Sequence, residues 1–469
     1  MYATLTTCLA LGLGLSILGV ELSRGRIRGH VDFLRFTSVL ILICFAVVPA
    51  YFQYADLESF RGTGWFWIFR HPFGGETFAL AVAVAFVGYG ALLAGYVLVR
   101  SLPRSLAQNL ITLGGAIGER TVAWVAHGLG LVGLLSLTIY TVSIGGLGPL
   151  ILQASAFRTD LPPIVTPYAF LKTIAPLAIS AALLFRALSV GARSARLRRR
   201  AALFFWIYFV VSMAILIHQA GRFPLAAFLL IFPVARVVRT DRLQLGTPIL
   251  AAAMMLVLIL VGKQAFQAGL DPGAFGRWIT DLRDGTASIV RTVLVEFSFP
   301  VVTLSNATVD VPALVPFRWF YDFPLALEYL VPQRLLGVVH PQTVSMINSQ
   351  IFNSYGAVPV DLFSLGYFSA GLPGVILITA LFGALLASFE RLLPATSDPL
   401  GAILRVAWMF FLGLRVLYGD PQLVWYSGLH LIVVSSLLVW LAVFLPPERF
   451  LHRSHGATAD PAPPTAAPA

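Results

Sequence analysis

Six arginines, Arg158, Arg222, Arg291, Arg318, Arg334 and Arg415, are scattered through a chain in which charge is otherwise scarce, and Glu296, His340, Asp361 and Asp420 accompany them. The planar guanidinium fork binds two oxygens at once, so arginine suits a ligand that carries phosphate or diphosphate. Held near a leaving diphosphate, such groups stabilise the negative charge that grows as its bond breaks. The carboxylates and the imidazole are the groups that could take a proton from a hydroxyl nucleophile. His340 is the only histidine between 263 and 361, and its ordinary titration range suits proton transfer near neutrality. Glu296 follows Arg291 by five residues. On one helix that spacing is about 140° off-face, so the two are not expected to pair.

Several chemistries are missing from the sequence. There is no Asp-x-Asp, no His/Glu metal spacing, no phosphate-cradling glycine loop and no Gly-x-Ser-x-Gly. That disfavours a metal-dependent nucleotide-sugar transferase and an ATP-driven pump. Neither a cofactor nor a nucleic-acid partner is implied. The two cysteines, Cys8 and Cys44, fall in apolar stretches and read as small core residues rather than a disulfide.

The elements that must position these groups are membrane helices. Of 469 residues, 58% are hydrophobic and 11% charged, more apolar surface than a soluble domain can hide. Apolar runs near 2–20, 32–51, 76–99, 121–142, 168–188, 202–219, 223–239, 245–262, 362–390, 399–418 and 422–445 fit a hydrocarbon layer of about 30 Å as helices. The fold class is therefore an all-α polytopic membrane protein of about eleven spans. The formal net charge of +11 comes almost wholly from arginine, since Lys172 and Lys263 are the only lysines. Arg24, Arg26 and Arg28, then Arg100 and Arg104, then 194–200, then Arg236, Arg239 and Arg242, then Arg449 and Arg453 occupy alternate connections. The positive-inside rule makes that side cytoplasmic, with the N-terminus outside. The first run lacks a basic n-region and a small-residue cleavage site, and reads as a retained anchor.

Four regions follow: a membrane region of eight spans at 1–262, an outer segment at 263–361, a three-span region at 362–446 and a Pro/Ala-rich, disordered cytoplasmic tail at 447–469. A structureless loop as long as 263–361 is improbable, so amphipathic helices lying on the outer leaflet are expected there. The aromatic cluster 318–323, RWFYDF, suits the interface. The segment closes on SLGYFSAGLPG, Ser364 to Gly374, at the mouth of a span, where small residues let a backbone or a lipid-linked ligand approach closely.

This order of features resembles the Wzy-type O-antigen and oligosaccharide repeat-unit polymerases, in which a long outer loop precedes a Tyr-x-Asn-Phe-Gly-x-x-Gly segment. Tyr367, Ser369, Gly371 and Gly374 stand in the matching places, with Ser369 and Ala370 replacing Asn and Phe, and Leu365 where a glutamate is frequent. The segments 145–158, 218–222, 291–299 and 418–420 are similar to further family segments carrying arginine or acid. The resemblance implies transfer of a glycan from undecaprenyl diphosphate to a sugar hydroxyl of another lipid-linked unit, without metal, at the periplasmic face of a bacterial inner membrane. It implies Arg291, Glu296, His340 and Asp361 as the catalytic set. Arg158, Arg222, Arg318, Arg334, Tyr367, Gly371, Arg415 and Asp420 would hold the lipid diphosphate and glycan. Membrane lipids and a chain-length regulator protein are the implied partners. An O-antigen ligase or another lipid-linked glycosyltransferase shares these features, and a transporter of lipid-linked oligosaccharide stays open as a reading from another class. A transporter, however, should place ionisable groups at mid-membrane.

Overall fold

The computed structural model describes residues 1–24, 31–54, 75–103, 117–150, 166–219, 221–242, 273–283, 289–331, 337, 340–351 and 358–444, with scattered positions in 246–260. Every regular element among them is helical. The helices are α1 (Tyr2–Ser23), α2 (Phe33–Tyr54), α3 (Glu76–Ser101), α4 (Glu119–Ser143), α5 (Leu171–Gly191), α6 (Ala195–His218) and α7 (Arg222–Thr240). After them come α8 (Gly273–Arg283), α9 (Ile289–Glu296), α10 (Phe299–Asp310), α11 (Asp322–Glu328) and α12 (Val344–Ile351). The last three are α13 (Leu362–Leu392), α14 (Pro399–Gly413) and α15 (Pro421–Phe444).

Among the described residues ten helices are long and apolar enough to cross a membrane, or up to eleven if the bent pair α9 and α10 is one span. The expected span at 245–262 lies in large part outside the described residues, as does the tail at 447–469. No lipid-facing charge interrupts these helices at their middles, while Leu11, Leu15, Trp124, Leu131, Val210 and Leu381 project outward, as hydrocarbon contact requires.

The arginine-rich connections gather at one end, here called the basic end. Arg24 reaches Asp32, Arg35 reaches Glu21, the Arg193 backbone N–H donates to Glu119, and Arg391 donates to the carbonyls of Arg100 and Leu102. The far end joins Tyr2 to Glu76, Arg222 to Glu296 and Gly419 to Val360. Among the described residues, the arginines that follow the first, third and fifth spans thus share one end.

The core forms where α3 and α13 run parallel in close contact. A methyl group at Gly95 would stand 1.9 Å from the Ala380 carbonyl oxygen, and one at Gly383 1.9 Å from that of Leu92. Lipid tails are as apolar as the helices, so such backbone proximity, not water exclusion, holds membrane helices together.

The outer segment departs from expectation. Its helix α10 does not lie on a leaflet with one face exposed. From Phe299 to Ala307 every residue is buried, against α3, α13 and the π-helical turn Ile43–Val47 of α2. With α9 it forms a pair bent by 48° at Phe297–Ser298. The reason is compositional: FPVVTLSNATVD has no charged face until Asp310. It packs as a buried element among the helices rather than floating as an amphipathic one.

Candidate functional site

The stretch SLGYFSAGLPG lies inside α13 and breaks it. Ala370 (φ −158°, ψ 34°) and Gly371 (φ 63°, ψ −146°) leave helical geometry. The dihedrals of Gly371 belong to a region that only glycine enters readily. Helix α13 has 31 residues, longer than a membrane crossing needs. The break divides it into a short outer helix and a spanning helix from 372 to 392. Pro373 then falls in a first turn, where its missing N–H is harmless. The carbonyls freed by the break are taken by the loop before α11. The backbone N–H groups of Arg318 and Trp319 donate to Phe368 and Ser369 oxygens at 2.9 Å each. Trp319 (φ 48°) and Phe320 (φ 63°) hold left-handed conformations rare for bulky residues, and Trp319 is 72% exposed. The ring of Phe317 lies 3.5 Å from where a Gly371 side chain would begin.

Arg222 heads α7 and Glu296 ends α9. Their Nη2 and Oε2 atoms are 2.5 Å apart, and both side chains are buried. Glu296 therefore pairs 74 residues back in sequence and not with Arg291, as its spacing foretold. Phe223 packs on Phe297 and Tyr418, and Tyr418 on Phe299. One aromatic knot thus brings α7, the bend of α9 and α10, and the end of α14 together. Arg291 is half-buried on α9.

Arg415 sits just past α14, buried to 7% exposure. Its Nε donates to the Phe411 carbonyl at 3.1 Å and its guanidinium lies 4.7 Å over the Phe411 ring. Its Nη1 is buried without a hydrogen-bond partner among the described residues. An orphaned guanidinium nitrogen inside a protein is expensive unless a ligand or water meets it. Asp420 acts on Arg415 electrostatically without forming an ion pair. The Asp420 carboxyl is buried, accepts from the Gln422 N–H at 2.9 Å and has Ser345 beside it. Burial pushes it above the ordinary carboxylate range, with a smaller push from Asp322.

Arg318 is committed to structure. It grips Asp322 through Nε (2.5 Å) and Nη2 (2.8 Å) and donates to the Gln342 carbonyl, while Asp322 also accepts from the Val344 N–H at 2.9 Å. This ties the aromatic loop to the start of α12. His340 stacks on Tyr329 with ring centres 4.5 Å apart. Its Nε2 meets the Val331 carbonyl at 3.1 Å. A carbonyl only accepts, so Nε2 donates, and Nδ1 is buried without a hydrogen-bond partner among the described residues. Tyr329 donates to the Pro341 carbonyl, and Tyr426 donates to that of Tyr329 at 2.7 Å.

Asp361 proves to be the N-cap of α13. Its carboxylate accepts the N–H groups of Phe363 (2.9 Å) and Ser364 (3.1 Å) and the Ser364 hydroxyl. It is fully buried, and burial pushes it up to about 7 against the pull of those hydrogen bonds. Its oxygens are occupied, so it caps a helix and does not stand ready as a base.

The far end therefore collects Arg222, Glu296, Arg318, His340, Asp361, Tyr367, Gly371, Arg415 and Asp420. Arg158 and Arg334 lie outside the described residues. Asp322, Tyr329 and Tyr426 were not singled out from sequence, although Asp322 stands four residues after Arg318, a spacing that favours pairing on a helix. Nor were Thr303, Ser305, Asn306 and Asp310, the buried polar groups of α10. Among the described residues no group of three His, Cys, Asp or Glu side chains could hold a metal ion. No family model, no curated protein and no solved structure matches the chain. The functional reading therefore rests on the residues and their geometry.

Proposed function

We propose that this chain polymerises oligosaccharide repeat units carried on undecaprenyl diphosphate, at the periplasmic face of a bacterial inner membrane. The observation that carries the reading is Arg415: a buried arginine at the far end with Nη1 unmatched, beside a carboxyl whose affinity for protons is raised. A sugar hydroxyl of one lipid-linked unit attacks the anomeric carbon of another. The bond from that carbon to the diphosphate oxygen breaks, and the electron pair leaves with the lipid diphosphate. Arg415 receives the developing charge, with Arg291 on α9 as the second cation. Asp420 takes the hydroxyl proton. Glu296 is held by Arg222 and Asp361 by its capping bonds, so neither carries that role. Tyr367, the Gly371 break and the exposed Trp319 offer rings and backbone at the lip where a glycan would rest.

A second reading, an O-antigen ligase, is favoured by His340, whose buried Nδ1 has no partner among the described residues. The two separate by product. Purified protein given a lipid-diphosphate-linked repeat unit alone should yield a ladder of longer chains, and activity should persist in excess chelator. Single transfer only to a lipid-core acceptor, with no ladder, would favour ligation. Loss on chelation restored by Mg²⁺ would overturn the metal-free chemistry.

A further inference from the structure

A second region of unmatched positive charge lies at the opposite end. Between α5, α7 and the start of α14 is a cavity of about 400 Å³. Arg186 projects into it from α5, and Arg236 and Arg239 from the last turns of α7. Its remaining wall is apolar, with Val190, Phe232 and Ile403. No acidic side chain is among its described lining residues. Arg186 and Arg239 feel each other as like charges, and among the described residues the Arg186 guanidinium is otherwise engaged with the face of the Phe205 ring, 5.3 Å away. The nearby acid Asp398 caps α14 by accepting from the Gly401 N–H at 2.8 Å. The cavity also borders the N-terminal turn of α14 at Pro399, whose dipole adds positive potential.

Snorkelling arginines are common at this end of membrane helices and would point singly into water. Here three converge from two helices on one concave space, and like charges that close want a counter-anion. The mixed wall narrows what it can be: guanidinium groups for a phosphate, beside apolar surface for glycerol and acyl chain. We infer that this cavity binds the phosphate headgroup of an anionic phospholipid from the leaflet at the basic end, the cytoplasmic one by charge distribution.

The test is native mass spectrometry of the full chain in detergent, titrated with phosphatidylglycerol or phosphatidylcholine. Wild type should retain one phosphatidylglycerol in preference to phosphatidylcholine, and inorganic phosphate in excess should not displace it. The combined variant Arg186→Gln, Arg236→Gln, Arg239→Gln should bind it at least about tenfold more weakly. A control removing the same charge outside the cavity, Arg196→Gln, Arg199→Gln, Arg200→Gln, should bind as wild type does. Equal loss in the control would reduce the effect to general surface charge and overturn the site. Displacement by phosphate would overturn the lipid as its occupant, and equal retention of phosphatidylcholine would overturn the role of the headgroup charge. Should the triple variant fail to fold, Arg236→Gln alone, at the exposed member, should still weaken retention, and no change there would count against the proposal.

Discussion

Both ends of the bundle bury arginine, but they treat it differently. At the basic end Arg24 has Glu21 at 2.8 Å and Asp32 at 3.1 Å, Arg35 has Glu21, and Tyr96 donates to Glu390 at 2.5 Å. Arg405 donates to the Leu393 carbonyl and feels Glu390 and Asp32. That network joins α1, α2, α3, α13 and α14 and pairs Arg24 and Arg35 with acids, whereas Arg405 keeps a buried Nε without a hydrogen-bond partner among the described residues. At the far end Arg415 has a ring, one carbonyl and the field of Asp420 without an ion pair. Charge that is matched holds helices together, whereas charge left short of partners is ready for something that arrives. The arginine cavity shows that a second unmatched cluster can stand near a matched network.

The largest effect should come from breaking that distinction at Arg415. Arg415→Ala should lower polymer formation by about 10²–10³ at normal protein abundance, as loss of one charge-stabilising donor does. Arg415→Lys should recover little, since an ammonium lacks the bidentate fork. At the other end Asp32→Ala should behave in the opposite way. It removes a carboxylate from Arg24 and a cap from α2, which accepts the Arg35 N–H at 2.8 Å. Stability should fall by about 3 kcal/mol, seen as a lower melting temperature in detergent, while turnover per folded molecule is kept. If Asp32→Ala loses turnover and Arg415→Ala loses only fold, the two ends have been read the wrong way round.

Arg222 and Glu296 lie between these cases, matched yet placed at the far end. Glu296→Gln alone should destabilise by about 3 kcal/mol, because it takes the carboxylate charge away from a buried guanidinium. The paired change Arg222→Met with Glu296→Leu should restore much of that stability, as apolar replacement of buried pairs often does. Polymer formation should stay low in the paired variant. Full activity there would make the pair a helix tie and nothing more.

The ten spans among the described residues were legible because length and hydropathy alone decide them, and the basic end because arginine alternates by connection. Helix α10 was not. Its Thr303, Ser305, Asn306 and Asp310 fall in a segment expected to lie on a leaflet, and only the fold shows them buried against α3 and α13. Pairing at a separation of 74 residues, as in Arg222 with Glu296, leaves no local periodicity to find. Asp361 was visible as an acid ahead of an apolar run, which is also how an N-cap looks. Its chemistry was plain and its job was not. The glycines of SLGYFSAGLPG marked the right place, but residue types alone could not tell a packing notch from a helix break.

That break sets a smaller test. Gly371→Ala forces a side chain into dihedrals that essentially only glycine adopts, at about 1–3 kcal/mol. The new methyl group would meet the Phe317 ring at ordinary contact distance, so the effect is backbone strain and not a clash. Polymer formation should fall more steeply than abundance if the loop of Arg318 and Trp319, docked on the freed carbonyls, must stay seated for the glycan. Parallel loss of both would return the segment to packing alone.

The smallest effect concerns Asp361, and it separates capping from catalysis at one residue. Its folded carboxyl titrates at about 7, above the ordinary value of about 3.9. The folded state therefore holds a proton more tightly than the unfolded chain does. Between those values the native protein binds more protons, so the contribution of Asp361 is fully present below about pH 4 and is lost as pH rises through 7. Asparagine keeps the shape and the accepting oxygen of a cap and does not titrate in this range. The melting temperature of Asp361→Asn relative to wild type should therefore climb as pH is raised from 5 to 8, by a few degrees at most, and level off above that. Polymer formation at pH 8 should change little, because a cap needs an acceptor and not a charge. If activity collapses while the melting curve stays parallel to wild type at every pH, Asp361 is acting on the substrate proton after all, and the far end has two working carboxylates where the proposed mechanism uses Asp420 alone.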